Sequence, residues 1–184
     1  EKYLADYPDM KIHIEGGELQ GYFDLTRGMT NEDWMLLREK LLNKSNIVNM
    51  KGEHIVHVMR NDLVQSALAE SNNEMEGLVR VWSKIVQCEE ELMGFEDELE
   101  GRFRNIWNAF SINHSYMYAT TYGTYYSDGT LSTVLNYNTL TTTGGAIWGP
   151  SHEMGHNHQA SINVVGATEV SNNLFSNVNT YLLG

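Results

Sequence analysis

The 184-residue chain predicts an α+β domain, and three observations predict it. Segments that alternate apolar and polar residues gather in its first third. A long apolar stripe at helical spacing occupies its middle. The pattern His-Glu-Met-Gly-His falls late, just after a Gly-Pro pair that suits a helix start. A hydrophobic share of 41% supports a core, and the length suits one domain.

Taken in order, residues 10–15 and 21–25 read as two short strands turning at Gly16-Gly17. Thr30, followed by Glu32 and Asp33, reads as the cap and acidic first turn of a helix running through Trp34, Leu36, Leu37, Leu41 and Leu42. Residues 47–59 read as a strand pair broken at Gly52. Residues 72–93 form the longest helical pattern, with Leu78, Val81, Trp82, Ile85 and Val86 on one stripe and Leu92 and Met93 continuing it. Cys88, the only cysteine, lies in that pattern and is expected to be a buried, inert thiol. From Glu89 to Glu100 the chain holds seven acids in twelve residues and no base. Such a run can bind a hard cation, but a solvated face is the favoured reading.

Composition changes after Arg104. No Lys or Arg follows, eleven Asn fall between 105 and 184, and residues 115–126 suit strands and their turns. The polar, aromatic mix of this half suits a cleft that meets sugars, through ring faces and amide or hydroxyl groups, and it equally suits ordinary secreted β structure. The motif helix is expected to start near Pro150 and run to about Ala160. Thr168 is expected to cap a last helix, on which Val170, Leu174, Val178 and Leu182 recur every four residues as a buried stripe.

Net charge is −12, which offers no basic patch for phosphates, so nucleic acid is an unfavourable partner, as are anionic membrane surfaces. No apolar run approaches eighteen residues, so no transmembrane helix is expected. Oligomeric state is not legible.

His152 and His156 lie one turn apart on one helix face, a spacing at which two imidazoles can hold one zinc ion. Glu153 projects close by and can take a proton from the attacking water. Seven His and 17 Glu give only ~0.02 chance matches to this pattern. Glu169 lies thirteen positions after His156, at the start of the next helix, and can swing in as third ligand. Asn173, one turn beyond it, can serve as an outer partner of the site, although surface amides are an equal reading for Asn172 and Asn173. His158 points off the ligand face and reads as an outer partner or a surface residue. Gln159 and Ile162 stand where a metzincin needs Gly and His, so that pattern fails. His54 and His57, in a strand, face opposite ways and do not suit a second ion. Gly155, between the ligands, weakens the helix, and a close backbone approach by another segment or by substrate is the expected return.

The run Trp148-Gly-Pro-Ser-His-Glu-Met-Gly-His-Asn-His-Gln159, followed by Gly166-Ala-Thr-Glu-Val-Ser-Asn-Asn-Leu-Phe-Ser176, resembles the M60 or enhancin-like peptidases. The Gly16-Gly17…Gly21-Tyr-Phe segment and the Trp34 helix are similar to that catalytic domain as well. The resemblance implies a zincin-like, gluzincin-type metallopeptidase catalytic domain, with a mixed sheet packed on the motif helix. It implies Zn2+ held by His152, His156 and Glu169, with Glu153 catalytic. It further implies a secreted or cell-surface protease acting on mucin-type O-glycosylated proteins. Residues 1–184 then form one catalytic domain, a fragment of a longer multidomain protein. Tyrosines of 116–126 are candidates to stabilise the oxyanion, and equally packing residues. A non-catalytic glycoprotein-binding module with a vestigial metal site remains open, as does an amidase acting on non-peptide amides.

Overall fold

A computed structural model describes residues 12–13, 15–17, 20–42, 47–94, 107–113, 116–142, 144–159 and 162–183. Strand β1 (Gly21–Asp24) leads through a 3-10 turn (Leu25–Arg27) to α1 (Asn31–Leu41). Thr30 and Asp33 form a reciprocal capping box at its start. Only Trp34 and Leu41 of α1 are buried, whereas Leu36 and Leu42 are exposed. Strands β2 (Ile47–Lys51) and β3 (Ile55–Arg60) pair antiparallel around Gly52, as the sequence suggests. Helices α2 (Asn61–Ala69) and α3 (Met75–Leu92) follow, then β4 (Trp107–Ile112), β5 (Met117–Thr120) and β6 (Gly123–Ser127). Two short helices, α4 (Asp128–Val134) and α5 (Tyr137–Thr142), lead to α6 (Gly144–His158) and α7 (Thr168–Leu183).

The six strands form one mixed sheet in the order β1-β2-β3-β4-β6-β5, antiparallel at β2–β3 and β5–β6 and parallel elsewhere. Helix α3 packs on β3, and α6 packs on β5 and β6 while touching α3 and α7. The expected α+β arrangement, a mixed sheet against the motif helix, is therefore present. Trp82 of α3 sits at the centre. Its indole N–H donates to the Val134 carbonyl at 3.0 Å, and its ring meets His57 and Tyr126 edge-on at 4.9 and 5.4 Å.

Several expectations are corrected. Residues 12, 13 and 15 are not in a strand, and 10, 11 and 14 lie outside the described residues, so among the described residues only β1 of the expected strand pair is present. Cys88 is half-buried rather than buried. The acid run does not form a solvated face at its start: Glu89 and Glu90 are 1% and 7% exposed in the last turns of α3. Residues 95–100 of that run lie outside the described residues.

The α7 stripe is inverted. Val170, Leu174 and Leu182 are exposed, and the buried face carries Asn172, Phe175, Ser176 and Asn179. Nor does Thr168 cap α7. It is the first helical residue, its hydroxyl donating to Asn163 Oδ1 at 3.0 Å, while the Ala167 carbonyl accepts from Val170 and Ser171 N–H. Helix α6 begins at Gly144, so Pro150 lies inside it.

His57 is fully buried on β3, and burial pulls its pKa from 6.5 to about 4. The unfolded chain therefore binds a proton that the fold refuses between those values. The neutral ring's contribution is present above about pH 6.5 and is lost as pH falls toward 4, by roughly 3 kcal/mol. Glu89, raised by burial, acts with the opposite sign, so the difference between two proteins is the clean measure. Urea midpoints at pH 7 and 4.5 are expected to differ less for His57→Phe than for the unsubstituted chain. Equal shifts would remove His57 from the acid response.

Candidate metal centre

Helices α6 and α7 pack closely against each other. Gly155 makes their close approach possible: an added Cβ would stand 2.7 Å from Phe175 Cδ2, and nearer still to Asn172 Oδ1. The segment that approaches Gly155 is thus α7. This contact brings the first turn of α7 over the middle of α6.

Glu169 is consequently carried to the histidine pair. Its Oε2 lies 2.9 Å from His152 Nε2 and 3.3 Å from His156 Nε2. The two rings stand edge-on with centroids 4.8 Å apart. Among the described residues, this trio is the one group of three His, Cys, Asp or Glu side chains whose donor atoms converge, all within 4.8 Å of one another. Donors at zinc-ligand distances from one ion stand about 3.4 Å apart at tetrahedral angles. The observed spacing fits such an ion after small side-chain movements.

The ring orientations agree with that fit. His152 Nδ1 lies 3.1 Å from Asn173 Oδ1; with the ring proton donated there, Nε2 would offer its lone pair to an ion at the centre, while the other tautomer donates Nε2–H to Glu169. His156 Nδ1 lies 2.7 Å from the Gln159 amide, which can turn its oxygen to accept the same kind of N–H. Trp148, four residues before His152, stacks on its ring at 5.0 Å and 17°. Asn172, fully buried, donates to the His152 carbonyl. Asn173 thus stands where an outer partner is expected, and neither amide is a simple surface group. Gln159 was legible only as the residue three positions after His156, on the same helix face.

His158 meets neither expectation. It is 2% exposed, and its Nδ1 lies 2.8 Å from Glu89 Oε2, away from the trio. His54 faces Glu90 at 3.3 Å, and His57 faces the Met50 carbonyl at 3.3 Å, so those two rings have separate partners.

Glu153 is 7% exposed on the cleft floor. Burial raises its carboxyl to about 7, with neighbouring Glu169 adding to the rise and His152 opposing it. Burial lowers His156, and the bond to His152 lowers Glu169. The cleft extends to both sides of Glu153. One wing is walled by Tyr116, Met117, Thr130, Thr133, Trp148 and His152. The other is walled by Met117–Thr121 of β5 and its turn, with His156, Asn157, Thr168 and Glu169. Of the five tyrosines in 116–126, Tyr116 and Tyr118 line the cleft. Tyr126 is buried in the core, and Tyr125 stacks between Phe110 and Tyr118.

Residues 22–183 match the peptidase M60, enhancin and enhancin-like family. Similar solved structures include a metallopeptidase in complex with Tn antigen, 33% identical with a TM-score of 0.81, over 94% of this chain and 31% of that one. A metallopeptidase from Bacteroides thetaiotaomicron is 32% identical with a TM-score of 0.82, over 94% of this chain and 28% of that one. A functionally unknown conserved protein from Bacillus anthracis str. Ames is 27% identical with a TM-score of 0.75, over 90% of this chain and 34% of that one. The chain thus spans about a third of the length of these relatives. No curated protein matches it.

Proposed function

Because this chain belongs to the peptidase M60, enhancin and enhancin-like family, we propose that it is a zinc-dependent endopeptidase cleaving mucin-like O-glycosylated proteins. The observation that carries the proposal is the convergence of His152, His156 and Glu169 beside the buried Glu153. The two imidazoles and the Glu169 carboxylate would hold the ion, and Asn173 and Gln159 would keep the rings turned toward it. When bound, the ion supplies Lewis acidity toward the scissile carbonyl and acidifies water. Glu153 takes the proton of the attacking water and passes it to the leaving amine. A carboxyl whose burial lifts its proton affinity toward neutrality is suited to both transfers.

Strand β5 is the edge of the sheet and lines the cleft, so its free backbone groups can align an extended peptide across Glu153. Tyr116 and Trp148, exposed beside Thr133, offer the ring faces and a hydroxyl that a sugar needs. The relative solved with Tn antigen supports the glycoprotein part of the reading. Of the cleft tyrosines, Tyr116 is the candidate for the oxyanion role, because the Tyr118 ring stacks on Tyr125 on the sheet face opposite Met117, which meets α6. Such an enzyme works in a secreted or cell-surface setting. Among the described residues, no helix is long and apolar enough to cross a membrane.

The test combines elemental analysis with a gel of mucin incubated with the protein. Near-stoichiometric zinc and new mucin fragments are expected. Mucin retained but uncut would favour the glycoprotein-binding module. His152→Ala is expected to lose most of the bound zinc while staying folded, because it removes one of three ligands and the partner of Asn173. Unchanged zinc content in that variant would remove His152 from the ligand set.

A further inference from the structure

Glu89 is the one acid of the 89–91 run whose side chain is driven fully into the protein, at the seam where α3 meets α6 and α7. Its two oxygens are shared between the two helices that carry the proposed ligands. Oε2 lies 2.8 Å from His158 Nδ1 on α6, two residues past His156. Oε1 accepts from Asn179 Nδ2 on α7 at 3.0 Å, and the same amide nitrogen reaches the Ile85 carbonyl at 3.4 Å. The His158 ring is fixed further by Trp107, edge-on at 5.0 Å.

Burying a carboxylate costs several kcal/mol, and an apolar side chain of similar volume would fill this seam as well. What an apolar residue lacks is direction. Two hydrogen bonds from one rigid carboxylate set both the spacing and the register of α6 against α7. At the cleft end, the same pair of helices is tied by Asn172 to the His152 carbonyl and by Asn173 to the His152 ring. Glu89 is the corresponding tie at the far end. Three donors drawn from two helices converge only while that register holds, since Glu169 sits on α7 and both histidines on α6.

We propose that Glu89 is a positioning residue of the metal centre, clamping α6 to α7 through His158 and Asn179 so that Glu169 meets His152 and His156. The proposal rests on the reading of those three residues as zinc ligands. Its readout is the zinc dissociation constant of the whole chain, measured by competition with a chromophoric chelator, alongside the urea midpoint of the metal-free protein.

Glu89→Leu is expected to remain folded and to bind zinc at least tenfold more weakly. Glu89→Gln keeps an oxygen for Asn179 and offers its amide nitrogen to His158 Nδ1, and is expected to recover affinity to within a few-fold of the original. Asn179→Leu, which removes the α7 arm alone, is expected to weaken zinc as well. It keeps the test decisive should Glu89→Leu fail to fold. Unchanged zinc affinity in folded Glu89→Leu, or in Asn179→Leu, overturns the clamp even if stability falls. An unsubstituted chain that binds no zinc overturns the metal reading itself and the clamp with it, so the two failures are distinguishable.

Discussion

Glu153→Gln is expected to hold zinc as tightly as the original chain and to lose turnover by roughly a hundred- to ten-thousandfold. Gln has the shape of Glu and can still accept a hydrogen bond from water, but it cannot carry away the proton. The loss corresponds to about 3–5 kcal/mol on the barrier. Metal content should survive because the donor atoms belong to His152, His156 and Glu169, while Glu153 is pushed toward neutrality mainly by its own burial. The substitution also removes a carboxyl that is costly to bury, so the variant should be no less stable than the original. The measurement pairs elemental analysis with initial rates on mucin. Full activity would end the assignment of Glu153 as proton carrier, whereas loss of zinc together with activity would make it a determinant of metal binding instead.

The parts of this site that the sequence disclosed are those governed by local periodicity. A His pair four apart shares a helix face wherever the helix begins, so the Pro150 error did not affect it. Thr30 and Asp33 form their capping box within three residues, and the α3 stripe holds through Leu78, Trp82, Ile85 and Val86, although Val81 is half-buried and Leu92, expected to continue it, is exposed. The failures share a different origin. Residues spaced by four drift by about 40° per step around a helix, so Val170 and Leu182 lie some 120° apart and define no single face. The face of α7 that is buried carries Asn172, Ser176 and Asn179, because its neighbours are the His152 carbonyl and the Glu89 carboxyl rather than apolar side chains. Hydrophobicity cannot report such a face. Glu89 was hidden for the same reason: in an acid run, a buried member looks like its solvated neighbours until its distant partners at 158 and 179 are known.

Gly155→Ala separates local propensity from tertiary packing with opposite signs. In an isolated helix the change stabilises by about 1 kcal/mol. Here the new methyl would meet Phe175 Cβ at 3.0 Å and Cδ2 at 2.7 Å, and crowd the Asn172 amide. Neither neighbour can yield freely. Phe175 is fully buried, and Asn172 is tied to the His152 carbonyl. Overpacking of this kind typically costs about 1–3 kcal/mol. Relief requires α7 to move away from α6, and Glu169 lies one turn from Asn172 on the moving helix. We therefore expect a lower urea midpoint and a zinc affinity reduced roughly ten- to hundredfold, the scale on which disturbed outer partners act. Metal addition should then restore less stability than it gives the original chain, because linkage to a weaker site is smaller. A raised midpoint with unchanged zinc affinity would mean that helix propensity prevails and that the two helices do not meet closely at Gly155.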